Sequence, residues 1–526
     1  MAQLIEQTEI SRRHFVKSLG VLSGWFCFQW LCFLGLSGGS AEAKPLRSTF
    51  SKSSSSKSLN PSSVGVWLND IHTGLNATRV SQVIPASSLE DVQALVQQAA
   101  TDGRQLAIGG GRHAAGGQQF LKDQWYLDTR PMNRILSFDD QNGLITVQAG
   151  SSWTAIMNYL NPLQEGQVFK WAIKQKPTGS DSITLGGSIG ANNHGRCLQS
   201  APLISDIESF RLILASGEVK NCSRRENKDL FSLAIGGYGM FGVVSDVTLR
   251  LVKRQKLRRQ VQEMSVADVY HAYQDAVKAG CTYGAFDFSF DPTSEGYLRD
   301  GFFLSYLPVD DTTSVSSMAA DFDYEKWLGL TTTIHQDKAK TYQQYKGFYQ
   351  ASAGLVYYHD TAQLGPYKDY YHLEVDKRLH RRTPGTEAIT EVYVPKEKLA
   401  SFLGRVKTDF IQHQVDFIYG TVRFIQPDVE SAMPWAKGDF ACIIFNIHVD
   451  KTPQGLAKGK RTLQQIIDRA LAEGGSYYLT YHRYASKSQV LAAYPEMPSV
   501  LAMKRHYDPT ELFQSTWYQH YRRLFA

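Results

Sequence analysis

Three runs of glycine stand out as residues able to do chemistry: Ile108-Gly109-Gly110-Gly111-Arg112-His113-Ala114-Ala115-Gly116-Gly117-Gln118, then Thr184-Leu185-Gly186-Gly187-Ser188-Ile189-Gly190-Ala191-Asn192-Asn193-His194-Gly195, then Gly236-Gly237-Tyr238-Gly239-Met240-Phe241-Gly242. Glycine at this density costs backbone entropy. It makes sense where main-chain N–H groups must come close enough to cradle an anion such as pyrophosphate. Tight turns are the plainer reading of any one cluster. Three within the 135 residues from 108 to 242 fit one extended ligand lying across several loops, and a dinucleotide has that length. Gly237-x-Gly239-x-x-Gly242 formally matches the nicotinamide-type fingerprint, but that motif needs a strand before it and a helix after it. Here residues 229–235 read as helix and 243–252 as strand, so the match is rejected; Gly116-Gly117 likewise breaks any helix after the first cluster.

The elements that must position these loops follow from periodicity. Ser88-x-x-Asp91 opens a helix whose Leu89, Val92, Leu95, Val96 and Ala99 share a face until Gly103 stops it. Strands are expected over 105–108, 144–147 and 210–214, the last turning at Ser216-Gly217, and a helix over 153–160. Val247, Leu249 and Leu251 alternate with Thr248 and Arg250 as a further strand. Beyond Lys253 the chain turns to aromatic-rich strands and longer helices, including an amphipathic stretch over 463–471, which puts a domain boundary near 255.

With 526 residues, 43% of them hydrophobic, the chain can build two cores. Its formal charge of +6 is spread without a basic stripe, which argues against nucleic-acid binding. Two of six cysteines fall in the first segment, and Cys197, Cys222, Cys281 and Cys442 form no C-x-x-C pair, so zinc, iron–sulfur and c-type haem sites are disfavoured and no metal is expected. Disulfides among these four and lone buried thiols both remain open. Ser11-Arg12-Arg13-His14-Phe15-Val16-Lys17, ahead of an apolar run ending at Ala41-Glu42-Ala43, reads as a twin-arginine (Tat) export signal, with a transmembrane anchor as the other reading of Leu19 to Leu36. Nothing later is long or apolar enough to span a bilayer. The Ser/Lys-rich residues 44–63 read as a spacer, with regular structure expected from about Val80.

The helix over 87–100, "IGGGRHAAGG", "TLGGSIGANNHG", Asp206, "LASGEV", "DLFSLAIGGYGMFGVVSDVTLRL" and the late "YDPTELFQS" resemble the FAD-binding domain of the vanillyl-alcohol oxidase family, the PCMH-type flavoprotein fold. The resemblance implies an α+β protein: a two-subdomain PCMH-type FAD-binding domain over 76–254, a separate α+β substrate (cap) domain over 255–500, and a segment over 501–526 returning to the FAD domain. The signal would occupy 1–43 and a linker 44–75. FAD is then expected against Gly109, Gly110, Gly111, Arg112, His113, Ala114, Gly117, Gln118, Thr184, Gly187, Ser188, Gly190, Asn193, His194, Gly195, Asp206, Gly242, Val243 and Val244. His113 occupies the place where many members join the flavin 8α-methyl group to a histidine, the other reading being a histidine that hydrogen-bonds beside a non-covalent flavin, while residues 176–185 contain no cysteine for a second link. His194 would fix the loop or contact FAD.

The substrate domain is similar to that of sugar-alcohol and aldonolactone oxidases. Glu391-Val392-Tyr393-Val394-Pro395 resembles a strand motif found there, and Thr421-Val422-Arg423 falls where those oxidases have Glu-x-Arg, with Asp428 following; the arginine is kept and the glutamate is absent. In Tyr478-Leu479-Thr480-Tyr481-His482-Arg483, His482 is the first candidate for a general base and Arg423 for stabilising the alkoxide, with Tyr393 and Lys487 behind them. Glu496 reads as a loop residue. Tyrosines between 342 and 371 read as a packed aromatic core or as a stacking wall for a ring-shaped substrate. The resemblance implies an FAD-dependent oxidoreductase acting on a small polyol, sugar or lactone-like alcohol, reoxidised by O2 or another acceptor, and the twin-arginine signal implies its export to the periplasm. The alternatives are a flavin-dependent C=C reductase and a non-catalytic flavin-binding protein.

Overall fold

A computed structural model describes residues 65–365 and 367–526, and Val64–Ala526 is one compact unit with an α+β fold. The signal and spacer expectations for 1–64 lie outside the described residues. Order begins earlier than the apolar pattern indicates, so the linker reading is corrected for 65–75: Val66–Leu68 pairs antiparallel with Thr78–Val80. The turn between them is held by polar groups. Buried Asp70 accepts from the N–H groups of Thr73, Gly74, Leu75 and Asn76 at 2.5–3.2 Å. Hydrogen bonding of this kind leaves no hydrophobic period to read.

Three sheets carry the molecule. In the first, Gln82–Pro85 and Leu106–Gly109 flank Trp125–Asp128, all parallel, and the helix Leu89–Thr101 makes the crossover. Its capping box at Ser88 and Asp91 forms as the sequence indicates, and Val92, Leu95, Val96 and Ala99 are its buried face. The chain end docks here: Leu106 donates its N–H to Leu512 O at 2.8 Å, and Gln514 N–H donates to Leu106 O at 3.0 Å.

The second sheet is antiparallel, with Val243–Lys253 between Ile207–Ile213 and Leu144–Gln148; Val219–Ser223 and Ile135–Asp139 lie at the edges and Trp171–Ile173 joins Val243–Lys253. Lys228–Ala234 is helical and precedes Val243–Lys253, which is the order that excluded the nicotinamide fingerprint.

Lys256 opens the third sheet, in the order Val356–Tyr358, Lys256–Ser265, Asp300–Val309, Tyr283–Phe288, Phe417–Ile425, Phe440–Asp450, Gly385–Pro395 and Ser476–Tyr477, each neighbour antiparallel. Successive side chains of a strand point to opposite faces. One face buries Val422, Phe424, Ile443, Phe445, Val392 and Val394 in the largest core, with helices Leu399–Gln412 and Pro453–Ala472 contributing Phe402, Leu403, Leu463 and Ile467 to it. The alternate positions, among them Tyr419, Thr421, Arg423, Glu387 and Glu391, line a cavity. Helices Tyr324–Ile334 and Lys338–Ala351 contribute further walls to it. Cys197, Cys222, Cys281 and Cys442 are buried free thiols, so no disulfide forms among them. Among the described residues no helix is long and apolar enough to cross a membrane.

Candidate active site

The three glycine clusters converge. Thr184 caps the helix Leu185–Ala191, its Oγ1 accepting from Gly187 N–H and also from Gly111 N–H, both at 3.4 Å, which ties the second cluster to the first. Gly110 passes so close that a Cβ there would overlap Thr184 Oγ1. The third cluster docks on the same helix, Gly236 N–H donating to Ile189 O and Tyr238 N–H to Gly190 O, each at 2.9 Å. Together they wall a groove of about 210 Å³.

Of the expected cofactor residues, Gly109 to Ala114, Gln118, Thr184, Gly187, Gly190, Asn193, Gly242, Val243 and Val244 line this groove. Five do not. Gly117 instead accepts from Trp517 N–H, and Ser188 turns inward to accept from Trp153 Nε1 at 2.9 Å. Gly195 packs on Gln175, and Asp206 faces Lys174 at 3.5 Å under a burial that raises its carboxyl. His194 lies in the neighbouring cavity. Tyr238, Gly239, Tyr478, Thr480 and Tyr481 line the groove without having been chosen, although each sits inside a motif that drew attention.

The groove fits FAD. At Gly190 a Cβ would meet nothing nearer than Tyr238 Cα at 4.0 Å, so bare backbone faces open space. Gln119 Oε1 and Asn193 Oδ1, on two groove-lining residues, are buried without a hydrogen-bond partner among the described residues. Buried polar atoms are costly unless paired, so such orphans mark where a ligand donates.

At His113, Asn193, Tyr478 and Tyr481 the groove meets the cavity, also of about 210 Å³. His113 Nε2 lies 3.0 Å from Ser182 Oγ, which donates to Asp369 Oδ1 at 2.9 Å. Burial, reinforced by nearby His72, lowers His113 to about 3, so its imidazole is neutral at ordinary pH. Deeper in, Glu391 is the best-connected carboxylate. Its Oε1 accepts from Tyr393 Oη and lies 2.9 Å from His194 Nε2, and its Oε2 accepts from Tyr481 Oη at 3.2 Å. Burial works to raise this carboxyl, yet the His194 ring and the Tyr393 hydroxyl outweigh it and hold the group below the usual carboxylate value. His194 Nδ1 lies 3.1 Å from Gly195 O. Glu387, four positions earlier on the same face, is held by Tyr371 Oη at 2.5 Å and His335 Nε2 at 3.2 Å.

The catalytic expectations divide. Arg423 does line the cavity, donating from Nη1 to Thr178 Oγ1, and Thr421, in place of the missing glutamate, lines it too. Tyr393 does not: it stacks on Trp435 at 4.5 Å and holds Glu391 from behind. His482 is corrected as well. The chain turns after Ser476–Tyr477, and Tyr481 faces the cavity while His482 points the other way, its Nε2 3.1 Å from Thr390 Oγ1 in a separate pocket. Lys487 is exposed beside Phe525, Glu496 pairs with Lys437 at 3.0 Å, and Asp428 accepts from Asn192 Nδ2 at 2.8 Å, bracing the second cluster. Of the tyrosines between 342 and 371, Tyr345, Tyr349 and Tyr367 form part of the cavity wall. Glu391 is not among the expected catalytic residues, and the signal for it in the sequence is its place two residues before Tyr393 in the same strand motif.

Residues 80–223 match the FAD binding domain family. The chain is 28% identical over 206 residues to an uncharacterized oxidoreductase of the fasciation locus of Rhodococcoides fascians, covering 37% of this chain and 45% of that one. It is 24% identical over 245 residues to L-gulonolactone oxidase of Bos taurus (46% and 51%), and 32% identical over 155 residues to mitochondrial D-2-hydroxyglutarate dehydrogenase of Bos taurus (28% and 27%). The chain thus spans about half or less of the length of these relatives. Groove and match together define an FAD-binding domain of the kind carried by flavin-dependent oxidoreductases. FAD is its cofactor.

Proposed function

We propose that this chain is an FAD-dependent oxidoreductase of the PCMH type that oxidises a CH–OH group of a small oxygen-rich alcohol, a polyol, sugar or lactone-like compound. The observation that carries this reading is the shared mouth at His113, Asn193, Tyr478 and Tyr481, where a cofactor groove opens onto a cavity holding a carboxylate fixed by His194, Tyr393 and Tyr481. FAD supplies the hydride acceptor at its N5. The protein's part is to take the hydroxyl proton: Glu391 Oε2 is the receiving atom, Tyr481 Oη connects it to the mouth, and His194 Nε2, 2.9 Å from Oε1, holds the carboxylate in place. Arg423 steadies negative charge on the oxygen. The oxidase and dehydrogenase relatives support oxidation. A neutral His113 imidazole at the groove mouth supports an 8α-histidyl bond to the flavin, since only an unprotonated ring nitrogen can form it. The twin-arginine motif at Ser11–Lys17 supports export to the periplasm in folded form, and the glycine-loop motifs over 108–118, 184–195 and 236–242 support the likeness to the vanillyl-alcohol oxidase family.

The test is anaerobic. Purified holoprotein mixed with a panel of polyols, sugars and lactones is expected to bleach with at least one of them; a flavin reduced by dithionite but by no alcohol would defeat the proposal. Acid-precipitated protein is expected to stay yellow, and His113→Ala to release the colour.

A further inference from the structure

Two of the cavity's carboxylates are matched by side chains and its guanidinium groups are not. Glu387 and Glu391 each have a histidine and at least one tyrosine hydroxyl against them. Arg259 and Arg423, 2% and 6% exposed, meet only neutral oxygens: Arg259 donates to Tyr306 Oη at 2.9 Å and Ala320 O at 2.6 Å, and Arg423 to Thr178 Oγ1. Arg259 Nη1, Arg423 Nε and Arg196 Nε are buried with no hydrogen-bond partner among the described residues, and all three arginines line the one cavity. Burial, and then Arg196 nearby, push Arg423 below its ordinary value, so the positive charges face each other there. Asp321 also lines the cavity and lies near enough to Arg196 and Arg259 to feel their charge, yet no ion pair joins it to either among the described residues and its Oδ1 accepts from Phe322 N–H; Asp287 close by accepts from Tyr349 Oη, so three guanidinium groups face one such carboxylate. Unpaired buried charge is expensive, and a planar guanidinium matches the two oxygens of an oxyanion.

We infer that the substrate is an anionic alcohol, whose carboxylate or phosphate is bound by Arg196, Arg259 and Arg423 while its carbinol carbon lies at the flavin mouth, so that Arg423 meets the anionic group in place of the reacting oxygen. This rests on the oxidoreductase reading above and narrows it: sugar acids or sugar phosphates in place of neutral sugars and lactones. The electron count is unchanged, with the C–H pair passing to the flavin and the O–H proton to Glu391.

Two measurements on holoprotein separate the inference from its foundation. In the first, anaerobic reduction is followed with gluconate, glucuronate and glucose 6-phosphate against sorbitol, glucose and gluconolactone. At least one anion is expected to reduce the flavin more than roughly tenfold more efficiently than its neutral counterpart, carboxylate against phosphate deciding which oxyanion is meant. Neutral compounds reducing it as well as the anions would overturn the inference and leave the oxidoreductase reading standing. In the second, the same anions are titrated against the oxidised flavin spectrum of the parent and of Arg423→Gln and Arg196→Gln. The expected rise in apparent Kd is roughly tenfold to a hundredfold, with Arg423→Lys recovering part of it and flavin content reporting that each variant folds. Spectral binding without reduction by any compound would keep the anion site and remove the oxidoreductase reading. No anion-dependent spectral change, or one indifferent to both Gln variants, would overturn the site.

Discussion

Groove and cavity adjoin, share six lining residues and are built in opposite ways. Much of the groove wall is main chain, which at Gly110 passes against the Thr184 hydroxyl with no room for a Cβ and at Gly190 is left bare. The cavity floor is side chain, presented by alternate positions of three neighbouring strands whose other face is greased into the core. A site of the first kind writes its residue type into the sequence. The second kind uses glutamate, threonine, tyrosine and arginine, the ordinary outer residues of an antiparallel strand.

The sharpest way to break this contrast is Gly190→Ala. Because the added methyl would touch nothing closer than 4.0 Å in the protein and replaces a helical glycine, the cofactor-free chain should hold its stability or gain up to about 1 kcal/mol. Flavin, which needs that space, should be lost almost entirely. The ratio of visible to ultraviolet absorbance after purification, beside a melting curve of the apoprotein, checks both halves. Full flavin occupancy would show that the groove's bare backbone is not where the cofactor lies.

Glu391→Gln probes the other wall. The amide keeps the size and can still meet Tyr393 and Tyr481, but cannot take a proton, so the rate of flavin reduction should fall roughly a hundredfold to ten-thousandfold with flavin content unchanged. Stopped-flow reduction by whichever substrate bleaches the parent protein measures it, and a loss under about tenfold would return the proton to another group.

The same contrast explains what one sequence could disclose. The helix Leu89–Thr101 and the strand Val243–Lys253 were legible from capping and period, and fourteen of the nineteen expected cofactor residues line the groove because glycine marks backbone contact. Asp206 and Ser188 stood beside that signal and face inward for reasons of packing, toward Lys174 and Trp153. On the strand Gly385–Pro395, Glu391 and Tyr393 share a face, and the stacking of Trp435 on Tyr393 keeps the tyrosine out of the cavity that the glutamate lines. That stacking joins residues forty-two apart in the chain, so no local pattern contains it. The turn at Asp70 escaped for a related reason: its stability is hydrogen-bonded and has no apolar period.

His482 gives the smallest effect and the cleanest separation of the two regions, because it is adjacent to Tyr481 in sequence and absent from both walls. His482→Gln should leave the anaerobic reduction rate unchanged. Its consequence belongs to stability. Burial lowers His482 from its ordinary 6.5 to about 4, so above pH 6.5 folded and unfolded chains carry the same neutral ring and the group contributes nothing to the pH dependence. Between pH 6.5 and 4 the unfolded chain takes a proton that the folded one refuses, and stability falls with pH by a total of about 3 kcal/mol at and below the lower value. The glutamine variant lacks this penalty. Urea unfolding at pH 7 and pH 4.5 should therefore show a smaller acid loss in the variant than in the parent, whereas equal losses would mean that His482 is protonated where it lies, and a slowed reduction rate would bring it back into the active site.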